Sequence, residues 1–218
     1  MEHNVKLVAI TEGAEELVGK SAQDVVSYVA RVSNPSNQSN FNTAPKLIKY
    51  LLDQKHWSPF EHVSCTLEIK TSRAIAAQIL RHRSFVFQEF SQRYASVANN
   101  VKYPARRQDS KNRQNSVDDM SEMDKIWFEL AQDRVWAEAK RLYDEALEKG
   151  IAKEQARFLL PLSTETTLYM TGNLRSWITY INLRASNGTQ KEHADIAIAC
   201  RDIVAAKFPD VATALGWS

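Results

Sequence analysis

Apolar positions in the first third of the chain switch between two periods. Val5 to Ile10 forms a short run of strand length. Ser21, followed three residues later by Asp24, starts a helix that carries Val25, Val26 and Val29 on its apolar side. That helix runs out near Arg31-Val32-Ser33-Asn34-Pro35, and a polar loop covers Ser36 to Asn42. Thr43 then stands as the cap of a helix presenting Leu47, Ile48, Leu51 and Leu52 at helical spacing. The segment from His56 to His62, with Pro59 inside it, reads as a turn or loop. Val63, Cys65, Leu67 and Ile69 alternate with Ser64, Thr66, Glu68 and Lys70, the period of a strand with one buried face. Thr71 or Ser72 caps the next helix, which runs through Ile75 and Ile79 into Arg81.

Between Val97 and Ser121 large aliphatic residues thin out and Asn, Gln, Ser and Arg dominate, which predicts a mobile surface excursion. A long helix follows from about Met123 to Lys149, stopped by Gly150, then a shorter one from Ala152 to Pro161. Two more span roughly Leu174 to Ala185 and Lys191 to Lys207, with Asn187-Gly188 as the turn between them. Trp127 and Trp136 on the long helix read as packing residues. No internal repeat is evident. Strands early and helices late predict an α+β fold, a mixed sheet packed with several helices in a single domain over residues 1–218.

Composition narrows the function. With 44% hydrophobic residues the chain of 218 supports one sizeable core. Its 28 basic and 26 acidic residues leave a net charge of +2, too even to advertise a nucleic-acid or membrane partner, so cationic chemistry must be local. Cys65 and Cys200 match neither a redox pair nor a zinc spacing and read as core residues in a reduced, cytoplasmic setting. The start of the chain lacks the pattern of a signal peptide, and no apolar run approaches the ~20 residues needed to span a bilayer.

Local cationic chemistry is concentrated in one segment. Gln78 and Arg81 are three apart on the predicted helix and share a face, and Arg81, His82 and Arg83 complement the dipole at its C-terminal end. If the following stretch is extended, Glu89, Ser91 and Arg93 fall on one side and offer an acceptor, a hydroxyl and a fork of donors suited to a nucleotide. Phe85, Phe87 and Phe90 between them read as walls or as core. Arg157, set in Ala156-Arg157-Phe158-Leu159-Leu160-Pro161, calls for an anionic partner, either Glu154 or a ligand. Arg175 and Arg184 are nine residues apart, which at about 100° per residue puts them on opposite faces of one helix.

Arg81-His82-Arg83, seven intervening residues and Ser91, inside Gln78 to Tyr94, resemble the signature of the flavin-dependent thymidylate synthases. The resemblance extends to Ala30-Arg31-Val32-Ser33, His56 with Pro59 to His62, Glu154 to Pro161, Asn173 to Arg175 and Leu183-Arg184-Ala185. It implies a homotetramer with sites shared between chains, FAD as cofactor, and dUMP, 5,10-methylenetetrahydrofolate and NADPH as substrates. Ser33, Ser58, Arg81, His82, Arg83, Glu89, Asn173 and Arg175 correspond to flavin positions. Gln78, Arg81, Glu89, Ser91, Arg93, Arg157 and Arg184 correspond to dUMP positions, and His56 to a histidine near flavin and folate. Arg184 is the expected catalytic group, a permanent cation against the uracil edge. Thr179 departs from a flavin-contacting asparagine of some relatives, and the turn before His193 leaves the roles of Asn187, Gln190 and His193 open.

Other readings are weaker. Ser91 as a nucleophile needs an adjacent base, and Arg81 and Arg83, which hold down the pKa of His82, do not place His82 beside it. Neither cysteine has the Pro-Cys-His setting of the other thymidylate synthase class. His56, Glu61 and His62 lack the spacing of a metal site. A single-strand-binding module built on Arg81, Arg83, Arg93, Arg106 and Arg107 conflicts with the balanced charge.

Overall fold

Two nine-residue strands, β2 (Ser64–Ser72) and β6 (Glu165–Asn173), are the centre of the computed structural model, which describes residues 4–186 and 188–217. They pair antiparallel along their whole length, from Ser64 opposite Asn173 to Ser72 opposite Glu165. β1 (Val5–Ile10) lies outside β2 and β3 (Val86–Glu89) outside β6, giving the order β1-β2-β6-β3. Every pair is antiparallel, which corrects the expectation of a mixed sheet. The reason is topological. β2 and β3 are joined through α3 (Arg73–Ile79) and run parallel to each other, but β6 enters between them and removes the parallel contact.

One face of the sheet is apolar. Cys65, Leu67 and Ile69 of β2 and Leu168 and Met170 of β6 are buried beneath the helices. The other face is polar: the Thr66 and Thr171 hydroxyls meet at 2.8 Å, and Glu68 takes both Lys6 at 3.4 Å and the Tyr169 hydroxyl at 3.0 Å.

Each central strand turns directly into a helix through a capping side chain. Ser72 accepts from Ile75 N at 3.4 Å to start α3, and Asn173 accepts from Ser176 N at 2.9 Å to start α6 (Leu174–Arg184). This strand-cap-helix layout occurs twice although no repeat is evident in the sequence. α6 packs on α7 (Lys191–Lys207), and α8 (Pro209–Leu215), which the sequence did not reveal, packs on α7 and on α2 (Ala44–Asp53). α1 (Ala22–Ala30) begins with the expected capping box of Ser21 and Asp24. Thr43 does not cap α2. Its hydroxyl accepts from Arg31 Nη2 at 2.8 Å, and Pro45 in the first turn removes one donor that a cap would have served.

The polar stretch contains a small hairpin of β4 (Arg107–Gln108) and β5 (Ser116–Val117), beside an Arg107–Asp119 pair at 2.5 Å. α4 (Glu122–Glu148) ends ahead of Gly150, whose φ of 79° is left-handed. The helix expected from Ala152 to Pro161 breaks into α5 (Lys153–Ala156) and a 3-10 turn over Arg157–Leu159, because Leu160, preceding a proline, is extended. Cys65 and Cys200 are buried free thiols. Trp127 is 67% exposed, which corrects its assignment as a packing residue. Among the described residues no helix is long and apolar enough to cross a membrane.

Gly172 faces the Phe85 ring, and a Cβ there would lie 2.5 Å from two ring carbons. The ring cannot retreat easily, being 4.8 Å from Trp177 and 5.8 Å from Tyr180 between centroids. Gly172→Ala is expected to cost about 1–3 kcal/mol in urea denaturation. An unchanged unfolding midpoint would contradict this packing.

Candidate functional site

α3 stops at Ile79, so Arg81, His82 and Arg83 leave its end in a turn instead of continuing the helix. Gln78 and Arg81 consequently part: Gln78 reaches Gln190, while Arg81 and Arg83 are exposed with no ion pair or side-chain hydrogen bond among the described residues. His82 turns inward. Its Nε2 accepts from Arg184 Nε at 3.0 Å, and because a guanidinium only donates, that nitrogen carries no proton. The His82 ring stands edge-on to Tyr180 at 4.9 Å and to His193 at 6.1 Å. Burial, then the Arg184 and Arg81 cations, holds its pKa below the usual histidine value. The sequence anticipated the direction and the Arg81 contribution, but it also named Arg83 and missed the two larger causes, burial and Arg184.

Gln78 anchors a polar network around the N-terminal end of α7. Its Nε2 donates to Gln190 Oε1 at 2.6 Å, and Gln190 Nε2 donates to Glu192 at 2.9 Å. Gln78 Oε1 faces His193 Nδ1 at 3.3 Å, and His193 Nε2 faces the Tyr180 hydroxyl at 3.2 Å. His193 is wholly buried. Burial, with Arg184 and His82 nearby, lowers its pKa to about 3. Asn187, a residue whose role the sequence left open, lies outside the described residues.

Glu89, Ser91 and Arg93 do not share one face. β3 ends at Glu89 and the chain turns, with Ser91 Oγ accepting from Arg93 N at 3.4 Å. Glu89 binds Arg73 at 2.6 Å and the Thr166 hydroxyl at 2.9 Å. Arg93 pairs with the Glu154 carboxylate at 3.1 Å. Arg157 instead donates to the Glu154 carbonyl at 3.1 Å, so the expected carboxylate partner is not its own. Arg157 and Arg73 line one cavity of about 290 Å³ with Gln92 and Thr164, a concentration of guanidinium suited to an anion. Phe85 is core, and Phe90 is 37% exposed.

Arg175 projects from the other side of α6, as the nine-residue spacing anticipated: it pairs with Glu61 at 2.5 Å and lies 5.9 Å from the Trp57 ring, while Arg184 meets His82. Ser58 is exposed at the start of the 3-10 turn Ser58–Glu61, and His56 is exposed and edge-on to Tyr50 at 5.9 Å. Ser33 lines a separate cavity of about 470 Å³ with Arg31 and Lys46. Thr179 donates to the Arg175 carbonyl at 3.0 Å.

Arg73, Tyr180 and Glu192 were not singled out from sequence. Tyr180 carried a signal, standing four residues before Arg184 on the same helical face. Nothing local marks Arg73 as the partner of Glu89.

The profile of the family described as "Thymidylate synthase complementing protein", Thy1, matches residues 6–210. A "Probable flavin-dependent thymidylate synthase" of Paramecium bursaria Chlorella virus 1 is 56% identical over 215 residues, covering 98% of this chain and 99% of that protein. A "Flavin-dependent thymidylate synthase" of Synechocystis sp. is 52% identical over 216 residues, covering 98% of this chain and 100% of that protein. Among solved structures, the UMP/dUMP methylase PolB of Streptomyces cacaoi, bound with 5-Br dUMP, superposes with a TM-score of 0.84 at 27% identity, covering 99% of this chain and 95% of that one.

His193 gives the fold an acid sensitivity. In the unfolded chain it protonates near the ordinary value of about 6.5, and in the folded chain only near about 3. The unfolded state therefore takes the proton first, so this contribution to stability is full above about pH 6.5 and is lost as pH falls towards about 3. Urea unfolding between about pH 6 and pH 4 should show a shallower decline for His193→Gln than for the parent. Equal slopes would contradict a neutral buried imidazole.

Proposed function

This chain belongs to the flavin-dependent thymidylate synthase family, and from that premise we propose that it converts dUMP to dTMP, with 5,10-methylenetetrahydrofolate as carbon donor and NADPH as reductant. The observation that carries this reading is 56% identity across 98% of the chain to a relative bearing that family name. The 5-Br dUMP bound to the PolB methylase supports a uridylate substrate. When bound, FAD supplies the hydride that completes the methyl group, and folate leaves as tetrahydrofolate.

The residues fit an anionic dinucleotide. Arg81 and Arg83 are exposed cations without an ion pair among the described residues, and Asn173 and Arg175 stand at the start of α6 on the side away from Arg184. With Ser33 and Ser58 they would hold FAD, and exposed His56 would meet flavin or folate. Arg184 would act on the uracil: its Nε is tied to His82, which leaves the terminal nitrogens to stabilise negative charge as the ring is activated at C5. His82 adds no positive charge there, since its unprotonated Nε2 serves as the acceptor.

Ser91, Arg93 and Arg157 would hold the phosphate, with Arg93 exchanging Glu154 for the ligand. Ser91 Oγ accepts from the Arg93 amide and has no histidine bonded to it among the described residues, which favours binding over nucleophilic attack. Glu89, held by Arg73 and Thr166, would serve as the acceptor towards both ligands.

A homotetramer with shared sites accounts for the way these residues fall into separate clusters within one protomer. It also gives a purpose to Met123, Ile126, Trp127 and Leu130, all more than half exposed along one side of α4. Buried free thiols suit a reduced cytoplasmic setting.

The purified protein should be yellow and should form dTMP from dUMP, methylenetetrahydrofolate and NADPH. A colourless protein unable to retain FAD would sink this reading. Arg184→Ala should lower dTMP formation by about 100-fold or more while the flavin spectrum persists. Ser91→Ala should keep appreciable turnover with a raised dUMP requirement, and complete loss of turnover with dUMP still bound would favour the nucleophile.

A further inference from the structure

We propose that His193 is a positioning residue that determines pyrimidine specificity, by holding the Gln78 amide in one orientation through a one-way hydrogen-bond chain anchored at Glu192. The proposal rests on the reading that Gln78 meets the nucleotide.

The polarity of the chain is dictated link by link. Glu192 is 9% exposed, and its carboxylate accepts from Gln190 Nε2 at 2.9 Å. Gln190 has thereby spent its donor end on Glu192 and turns Oε1 to Gln78. Gln78 must then donate from Nε2, at 2.6 Å, which leaves its Oε1 towards His193 Nδ1 at 3.3 Å. A carbonyl oxygen only accepts, so His193 carries its proton on Nδ1. Its bare Nε2 takes the Tyr180 hydroxyl hydrogen at 3.2 Å. Reversing the Gln78 amide would set oxygen against Gln190 Oε1 and an NH2 group against the protonated Nδ1, two contacts of like polarity.

The surroundings keep His193 neutral. The charged and titratable groups around it are Arg184 and His82 from the neighbouring helix ends, Tyr180 of α6 and Glu192 of its own helix. His193 itself is wholly buried and packs against Tyr180 at 5.8 Å between rings. Gln78, by contrast, is only partly buried.

An amide held one way discriminates where a flipping one does not. Uracil and cytosine present opposite donor and acceptor polarity at N3 and C4, so a freely reversing glutamine accommodates both, whereas a fixed one matches a single base.

The test compares dissociation constants of dUMP and dCMP on the FAD-loaded enzyme. His193→Leu removes both polar links and should shrink the preference for dUMP about tenfold or more. His193→Asn keeps a donor where Nδ1 stood and should retain the preference within about threefold. Glu192→Gln is near-isosteric and lets Gln190 reverse, so it should reproduce the leucine result and serves if His193→Leu fails to fold. Leucine and Glu192→Gln variants that discriminate like the parent would overturn the proposal. In protein labelled with [15N]histidine, His193 should appear as the neutral Nδ1–H form, and an Nε2–H or doubly protonated ring would overturn the proposal whatever the binding data. A parent that binds neither nucleotide would remove the functional reading, and the proposal with it, a failure distinct from a wrong tautomer.

Discussion

Everything proposed for the site depends on the pairing of β2 with β6. Their nine-residue ladder runs from Ser64 opposite Asn173 to Ser72 opposite Glu165, so each strand ends beside the start of the other. α3 and α6 therefore set out from opposite ends of the ladder and run back over the same apolar face. Their C-terminal ends converge, and His82 meets Arg184 at 3.0 Å. A slip of one residue would displace one helix by about 3.4 Å and turn the buried side chains of a strand outwards. Leu67 opposite Met170 and Ile69 opposite Leu168, all fully buried, oppose that slip.

The convergence has an electrostatic consequence. Arg184 needs a partner that orients it without neutralising it, and His82 supplies one as a neutral acceptor. A carboxylate in that place would bind the guanidinium more firmly and cancel the charge a uracil ring would use. His193 completes the arrangement: burial, Arg184 and His82 all oppose its protonation, so the second imidazole beside Arg184 is also uncharged. The anionic anchor of the network, Glu192, is reached through Gln78 and Gln190 instead of touching Arg184.

Much of this was legible in the sequence where the signal was local. The capping box at Ser21, the strand alternation from Val63 to Ile69, the stop at Gly150 and the opposed faces of Arg175 and Arg184 each depend on residues close in the chain. β6 was not legible, because Thr166 and Gly172 occupy buried positions on either side of Leu168 and Met170 and break the apolar alternation. Gly172 is there for the Phe85 ring, a contact across 87 positions of sequence that no local pattern records. Without β6, the antiparallel sheet and the entry of a strand between β2 and β3 could not be anticipated. The same limit applies to partners: Glu154 was correctly placed near Arg157, yet its carboxylate goes to Arg93, a choice made by the fold.

On the proposed reading, the β2–β6 register delivers Arg184 to the pyrimidine with His82 as its neutral support. A high-resolution crystal structure of the protein with FAD and dUMP is the sharpest check. The terminal nitrogens of Arg184 should lie within hydrogen-bond distance of the uracil edge while its Nε still donates to His82. A uracil ring remote from Arg184, or an Arg184 swung away from His82 onto a carboxylate, would contradict it.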